Sequence, residues 1–197
     1  MVVCIPKLLS EIIAKDLHET PVDKKTLRLI ENKTKEKLSV DIRFDDYHVF
    51  CFSIDKDRNN EESPKDLIFP FFNASAKGVL SKNDFIIVAQ KQNKVCIFLV
   101  ELKSTNPDGY LKQIHAAKIF MQFVLDKAHI CHPDFKSMYD ELEFEYKGVL
   151  FSVTPIANKP SEEKSKSKNK KLLFNPIKGL LVTKQSYENV YYLSQFF

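Results

Sequence analysis

The chain has 197 residues, with 30 Lys and Arg against 26 Asp and Glu, a formal net charge of +4, and 44% hydrophobic residues. This length suits a single domain, and 16 Phe with 7 Tyr can fill its core without Trp, which excludes a chain disordered throughout. The longest apolar run, Val95 to Val100, is far shorter than the roughly 20 residues that cross a bilayer. We therefore expect no membrane span and no membrane partner.

The amino-terminal segment and the cysteines indicate the compartment. Met1 to Leu17 contains the acids Glu11 and Asp16, which fit a surface helix better than a cleaved signal peptide. The four cysteines are widely spaced and form no C-x-x-C pair, so neither a disulfide framework nor a zinc knuckle is predicted. We therefore predict a reducing, cytoplasmic setting.

The first 38 residues are predicted to be helical. Leu8 to Leu17 has apolar residues at helical spacing, and Asp23 to Lys37 carries apolar positions among many charges after the break at Pro21. From Ser39 the period changes to two, which predicts a hairpin formed by Val40–Phe44 and Tyr47–Ile54.

Two strong strands and a long helix follow. Phe85–Ala89 and Val95–Leu102 are predicted strands, and Tyr110–Lys127 is the most regular helix, with Asp108 as its expected cap. A short helix and three strands complete the chain: Phe135–Leu142, Lys147–Thr154, Gly179–Thr183 and Val190–Leu193. The order predicts a mixed α/β (α+β) single domain over 1–197, with a central mixed sheet flanked by helices. Its parts are a helical segment (1–38), a core (39–154), a mobile basic loop (159–171) and carboxyl-terminal strands (172–197).

The predicted basic loop has a local excess of four positive charges and, apart from Pro160, no apolar residue before Leu172. Two interpretations stay open, a solvated loop that aids solubility and a segment that contacts phosphates. In the second interpretation the nucleic-acid contacts are made by seven lysines: Lys159, Lys164, Lys166, Lys168, Lys170, Lys171 and Lys178.

The two strong strands bring acidic residues together. If a two-residue turn at Gln92-Asn93 closes them into a hairpin, Asp84 faces Glu101. Because side chains alternate along a strand and opposed residues share a face, Lys103 joins the two acids. A change of one residue in turn length would move one acid to the other face.

This trio suits a metal site. Two facing carboxylates repel one another, and a divalent cation removes that penalty. We expect Mg²⁺, with Mn²⁺ as a substitute, because Mg²⁺ prefers few carboxylates and can activate a water for attack on a phosphodiester. Lys103 could orient or deprotonate that water, or stabilise the extra negative charge of the transition state.

An acid-x-Lys triplet by itself carries little information, because the chain contains six of them. Glu101 and Lys103 alone lie at the end of a strand apolar enough to be buried on both faces, where charge is costly. Glu145 and Lys147 are the nearest rival, but they lie among alternating acids typical of a wetted edge. The alternative for Glu101 and Lys103 is a strand end that emerges into solvent with a weak ion pair.

The order of these features resembles the PD-(D/E)xK nuclease superfamily, with its restriction-endonuclease-like fold. The resemblance spans about Gly78 to Leu125 and implies that Asp84 and Glu101 hold Mg²⁺, that the Leu102 carbonyl completes the ligand set, and that Lys103 assists the attacking water. It also implies a role for Gln113 on the following helix, although an exposed helical residue is an equal alternative. Asn83 stands where the family nominally has proline.

The family resemblance also implies a third acid. Some members place an acid from the first helix near the metal. Glu11 is the candidate counterpart here, with a plain surface charge as the alternative, and Glu31 is the second choice. The first functional hypothesis is therefore a Mg²⁺-dependent nuclease that acts on DNA. The alternatives are an inactive nuclease-like module that binds nucleic acid or another subunit, and a purely structural partner-binding domain. The sequence leaves a homodimer open.

Overall fold

The structure is a computed structural model that describes residues 4–31, 38–55, 81–104, 108–153, 170–187 and 190–197. Within these ranges the helices are α1 (Ile5–Ile12), α2 (Tyr110–Cys131) and α3 (Pro133–Tyr139), with short 3₁₀ turns at Lys15–Leu17 and Leu193–Gln195. The strands are β1 (Thr26–Glu31), β2 (Leu38–Arg43), β3 (His48–Phe52), β4 (Phe85–Lys91), β5 (Lys94–Lys103), β6 (Glu143–Ser152), β7 (Asn175–Ile177), β8 (Leu180–Gln185) and β9 (Val190–Tyr192).

The strands of the described residues form two sheets. The larger sheet has the order β3-β4-β5-β6-β8-β7, and the smaller has the order β1-β2-β9. In the larger sheet β3, β4 and β5 are antiparallel neighbours, whereas β5, β6 and β8 run parallel. Parallel β5 and β6 are joined through α2 and α3, as a parallel pair requires a crossover. The predicted mixed α/β fold class is confirmed.

The larger sheet is buried on both faces. One face packs against α1 and α2 through side chains such as Ile86 and Leu99. The other packs against the smaller sheet through side chains such as Phe98 and Phe151. This double burial explains why β4 and β5 read as continuous apolar runs rather than as alternating ones. The described part of the chain has no helix long and apolar enough to span a membrane.

The amino-terminal prediction is half wrong. A helix does open the chain, as α1, but the second predicted helix, Asp23 to Lys37, contains strand β1 instead. Leu27 and Leu29 are buried, whereas Arg28 is exposed and Ile30 is half-buried. Burial therefore alternates with the period of a strand. Pairing with β2 overrides the helical propensity of the charged residues.

The predicted hairpin over Val40–Phe44 and Tyr47–Ile54 is also wrong. Both strands exist, as β2 and β3, but β2 pairs with β1 and β9 while β3 pairs with β4. The turn at Asp45-Asp46 therefore carries the chain from one sheet to the other. Likewise, Gly109 rather than Asp108 is the N-cap of α2, and no side chain caps that helix end.

Candidate active site

Asp84 lies opposite Glu101 at the open end of the β4–β5 hairpin. The ladder pairs Lys91 with Lys94 and Phe85 with Val100, so the register predicted from the sequence is confirmed. The tight turn is possible because Gln92 adopts a left-handed backbone with a φ of 55°. Hydrogen-bonded and non-hydrogen-bonded pairs alternate along the ladder from the closing pair, Lys91 and Lys94. Asp84 and Glu101 are therefore a non-hydrogen-bonded pair, the kind in which side chains lie closest.

Asp84 and its neighbour fasten the end of this hairpin. The Leu102 backbone amide donates a hydrogen bond of 2.7 Å to Oδ2 of Asp84. The buried Asn83 donates from Nδ2 to the Phe85 carbonyl at 2.5 Å. Side-chain hydrogen bonds thus replace the backbone ladder where β4 begins.

The two acids and Lys103 meet on one face of the sheet. Lys103 Nζ lies 2.5 Å from Oε1 of Glu101. The Glu101 side chain is fully buried, whereas 23% of the Lys103 side chain is exposed. This face is the one covered by α1 and α2. Ile86 lies two residues after Asp84 and Leu99 lies two residues before Glu101, so both share the face of the acids, and both belong to the core beneath the helices. The structure therefore brings together the trio that the sequence predicted.

The environment of Glu101 disfavours its charge. Burial, followed by the negative charge of Asp84, raises the pKa of Glu101 to about 8, although the Lys103 ammonium opposes this shift. Oε2 of Glu101 is buried and accepts no hydrogen bond from the described residues. A second cation beside Oε2 would therefore stabilise the ionised carboxylate.

These groups fit a hard divalent cation. Carboxylate oxygens of Asp84 and Glu101 are suitable ligands for Mg²⁺, which is commonly held by one or two carboxylates and retains several waters. The Leu102 carbonyl points to the same side of β5 as the Leu102 amide, towards Asp84, since both groups of a strand residue face one neighbour. The described ranges contain no group of three or more His, Cys, Asp or Glu residues that could hold a metal ion.

Gln113 contacts the backbone that leads into the site. It lies in the first turns of α2, and its Nε2 donates a hydrogen bond of 3.0 Å to the carbonyl of Lys82, two residues before Asp84. Gln113 is half-buried rather than an exposed helical residue. Its side chain therefore joins the start of α2 to the segment that carries Asp84.

Glu11 is exposed on α1. The start of that helix is fixed near the hairpin turn, where the Ile5 amide donates to Oε1 of Gln90 at 2.8 Å. Among the described residues, no hydrogen bond or ion pair joins Glu11 to Asp84 or Glu101. The role of Glu11 as a metal ligand stays a prediction.

Tyr187, which follows β8, lies within electrostatic reach of the acid pair and of Glu31 in the smaller sheet. Burial, followed by the negative charges of Glu31, Asp84 and Glu101, raises the pKa of the Tyr187 phenol. Glu31 is buried at the end of β1, in line with Leu27 and Leu29, which face the larger sheet. Sequence reasoning gave Glu31 only as a second choice on a supposed helix, and Tyr187 carried no local signal at all.

The predicted basic residues are distributed unevenly. Lys159, Lys164, Lys166 and Lys168 lie outside the described residues. Lys171 donates from Nζ to the carbonyls of Ser194 and Phe197, at 2.9 and 2.8 Å, and Lys170 is exposed beside it. Lys178 lies in the β7–β8 turn, before the start of β8. Because β8 runs parallel to β5, Lys178 lies at the end of the sheet opposite to Glu101 and Lys103.

The rival triplet is structural. Glu145 bridges Lys94 and Lys147, at 2.9 and 3.2 Å, and the buried Lys147 donates from Nζ to the Phe196 carbonyl at 2.8 Å. The expectation that this triplet forms a wetted edge is therefore wrong for Lys147. Its burial, against the aromatic ring of Phe174 and the carboxyl-terminal segment, depends on contacts far apart in sequence.

Comparisons with protein-family models, with curated proteins and with solved structures find no match to this chain.

Proposed function

We propose that this chain is a Mg²⁺-dependent nuclease that hydrolyses phosphodiester bonds, in DNA, at the site formed by Asp84, Glu101 and Lys103. The observation that carries the proposal is the fully buried Glu101 carboxylate, which faces a second acid and has a lysine within ion-pair distance. Burial of such a cluster costs stability, so we infer that it is retained for chemistry.

Each residue has a definite task in this proposal. Asp84 and Glu101 would hold Mg²⁺ together with the Leu102 carbonyl. Bound Mg²⁺ would polarise a phosphodiester oxygen and lower the pKa of a water. Lys103, partly exposed above Glu101, would orient or deprotonate the attacking water or stabilise the charge that develops on the phosphate. Gln113 would keep the Asp84 segment in place through the Lys82 carbonyl.

The resemblance to the PD-(D/E)xK superfamily supports the same proposal. An acid opens one strand of a hairpin, Glu-x-Lys ends the next, and a helix follows that leads to a parallel strand. We also keep a cytoplasmic location, because all four cysteines are free thiols and three of them are buried. A homodimer stays a prediction.

Plasmid cleavage tests this function. Lys103→Ala should abolish Mg²⁺-dependent cleavage, with a loss of about 100-fold or more, while the fold and DNA affinity change little. Lys94→Ala is the matched control, because Lys94 lies on the same strand at the other end and pairs with Glu145. Undiminished cleavage by the Lys103 variant would refute the proposal.

A second candidate is a nuclease-like module that binds nucleic acid or another subunit without cleaving. The burial of Glu101 beneath Lys103 favours it, because a bound cation would have to share Glu101 with the ammonium group. Metal binding separates the two functions. A nuclease should gain thermal stability with Mg²⁺ or Mn²⁺, about 2.7 kcal/mol at 100 times the dissociation constant, and Asp84→Asn should remove this gain. A non-catalytic module should show neither effect.

A further inference from the structure

We propose that Lys184 on β8 binds a backbone phosphate of the nucleic acid, next to the phosphodiester held at the acid pair. This inference rests on the proposed function and adds a second contact to the DNA backbone beside the bond to be cleaved. Lys184 carries no signal in the sequence, where it directly follows the predicted strand Gly179–Thr183.

The strand registers place Lys184 on the face of the candidate active site. Glu101 pairs with Leu150 of β6, and Leu150 pairs with Lys184 of β8. Directly paired residues of neighbouring strands share a face, so the three side chains lie on the helix-covered side of the sheet. Two strand spacings, roughly 10 Å, separate the backbones of Glu101 and Lys184.

A contact with α2 supports this placement independently. Lys184 Nζ lies 5.2 Å from the centroid of the Tyr110 ring, and Tyr110 is the first residue of α2. This position is at the same end of the sheet as Lys103, because α2 follows β5.

Charge pairing distinguishes Lys184 from the neighbouring cations. Lys103 is paired with Glu101, and Lys171 donates to backbone carbonyls. Lys184 is exposed, and none of the described residues forms an ion pair with it. An exposed ammonium group that lies over an aromatic ring and has no anionic partner among the described residues is suited to a phosphate.

The separation from the acid pair determines which phosphate Lys184 can reach. A small phosphodiester held at Glu101 and Asp84 would not extend across two strands to β8. A polynucleotide would, because its backbone carries a phosphate at every residue. Lys184 therefore contributes affinity and orientation for a chain, independent of base sequence.

The test measures how salt weakens binding of a short labelled DNA duplex in the absence of divalent metal. Lys184→Ala should reduce the slope of log K against log salt by about 0.9, and Lys184→Arg should retain it. Lys91→Ala is the matched control and should leave the slope unchanged, because this exposed lysine also lies over an aromatic ring, 5.1 Å from the centroid of Tyr47, but at the opposite end of the sheet. Thermal melting checks that each variant is folded.

A second arm uses bis-(p-nitrophenyl) phosphate, which has a single phosphodiester. With Mg²⁺, Lys184→Ala should raise the KM for DNA while leaving hydrolysis of the small ester unchanged. An unchanged salt slope in Lys184→Ala, or the absence of salt-dependent binding by the natural chain, would overturn the inference. If cleavage depends on Lys103 but the slope does not depend on Lys184, this inference alone fails. If the slope depends on Lys184 but no cleavage occurs, the nuclease function fails and the phosphate contact stands.

Discussion

The Lys103 ammonium nitrogen lies 2.5 Å from Oε1 of Glu101, a carboxylate that solvent does not reach. A buried acid with a single cationic partner and a second acid opposite is an expensive arrangement. Its consequences for stability can be measured without any assumption about the substrate.

The contribution of Glu101 to stability without metal should fall as pH rises from about 4.5 to about 8. Because the pKa of Glu101 is raised from 4.5 to about 8, the folded protein retains a proton that the unfolded chain releases between these values. The contribution to stability is therefore fully present below about pH 4.5 and is lost by about pH 8. Chemical denaturation across this range should show a steeper decline for the natural chain than for Glu101→Gln, which has no proton to lose. Parallel declines in both proteins would contradict the assigned environment.

Two substitutions of Asp84 should separate the effect of its hydrogen bond on stability from the effect of its charge on metal binding. Asp84→Asn retains an oxygen that can accept the Leu102 amide, whereas Asp84→Ala leaves that amide without its acceptor. We expect the alanine variant to lose about 1–3 kcal/mol of unfolding free energy relative to the asparagine variant. Both variants should lose Mg²⁺-dependent stabilisation. Equal unfolding free energies in urea would show that the hydrogen bond does not hold the hairpin end.

Gln113→Glu should weaken the link between α2 and the Asp84 segment. A carboxylate cannot donate to the Lys82 carbonyl, so the hydrogen bond of 3.0 Å is lost with little change in volume. The expected cost is about 1 kcal/mol of unfolding free energy, together with a lower kcat for DNA cleavage and a nearly unchanged salt slope of binding. Lys112→Glu, at the exposed neighbouring position, is the control for charge. Identical cleavage kinetics in Gln113→Glu and Lys112→Glu would show that Gln113 has no specific role in the site.

Lys147→Met should destabilise the chain without affecting cleavage chemistry. The buried ammonium group donates to the Phe196 carbonyl and pairs with Glu145, so its removal leaves the carbonyl without this donor and leaves Glu145 paired with Lys94. We expect a loss of about 1–3 kcal/mol in thermal or urea unfolding. Lys147→Arg tests whether charge alone suffices, and an unchanged melting temperature in Lys147→Met would show that the carboxyl-terminal segment is held by other contacts.

Much of the candidate site follows from local sequence. The apolar runs of β4 and β5 and the two residues between them determine the hairpin register, and the register determines that Asp84 faces Glu101. Alternation along β5 then places Lys103 beside them. These features require only neighbouring segments to pair, so the sequence predicts them directly.

The rest depends on pairing between distant segments. The segment around Leu27 and Leu29 becomes a strand because it pairs with β2. Strands β2 and β3 belong to different sheets because β2 also pairs with the distant β9, whereas β3 pairs with β4. Packing between distant segments alone brings Tyr187 within electrostatic reach of both Glu31 and the acid pair, because Tyr187 follows β8 whereas Glu31 lies in the smaller sheet. Lys184 reaches the same face only because β6 lies between β5 and β8 in a common parallel register. The sequence by itself determined the hairpin with its acids and lysine, whereas only the tertiary structure decided what surrounds them, because burial and strand order depend on contacts that no local pattern encodes.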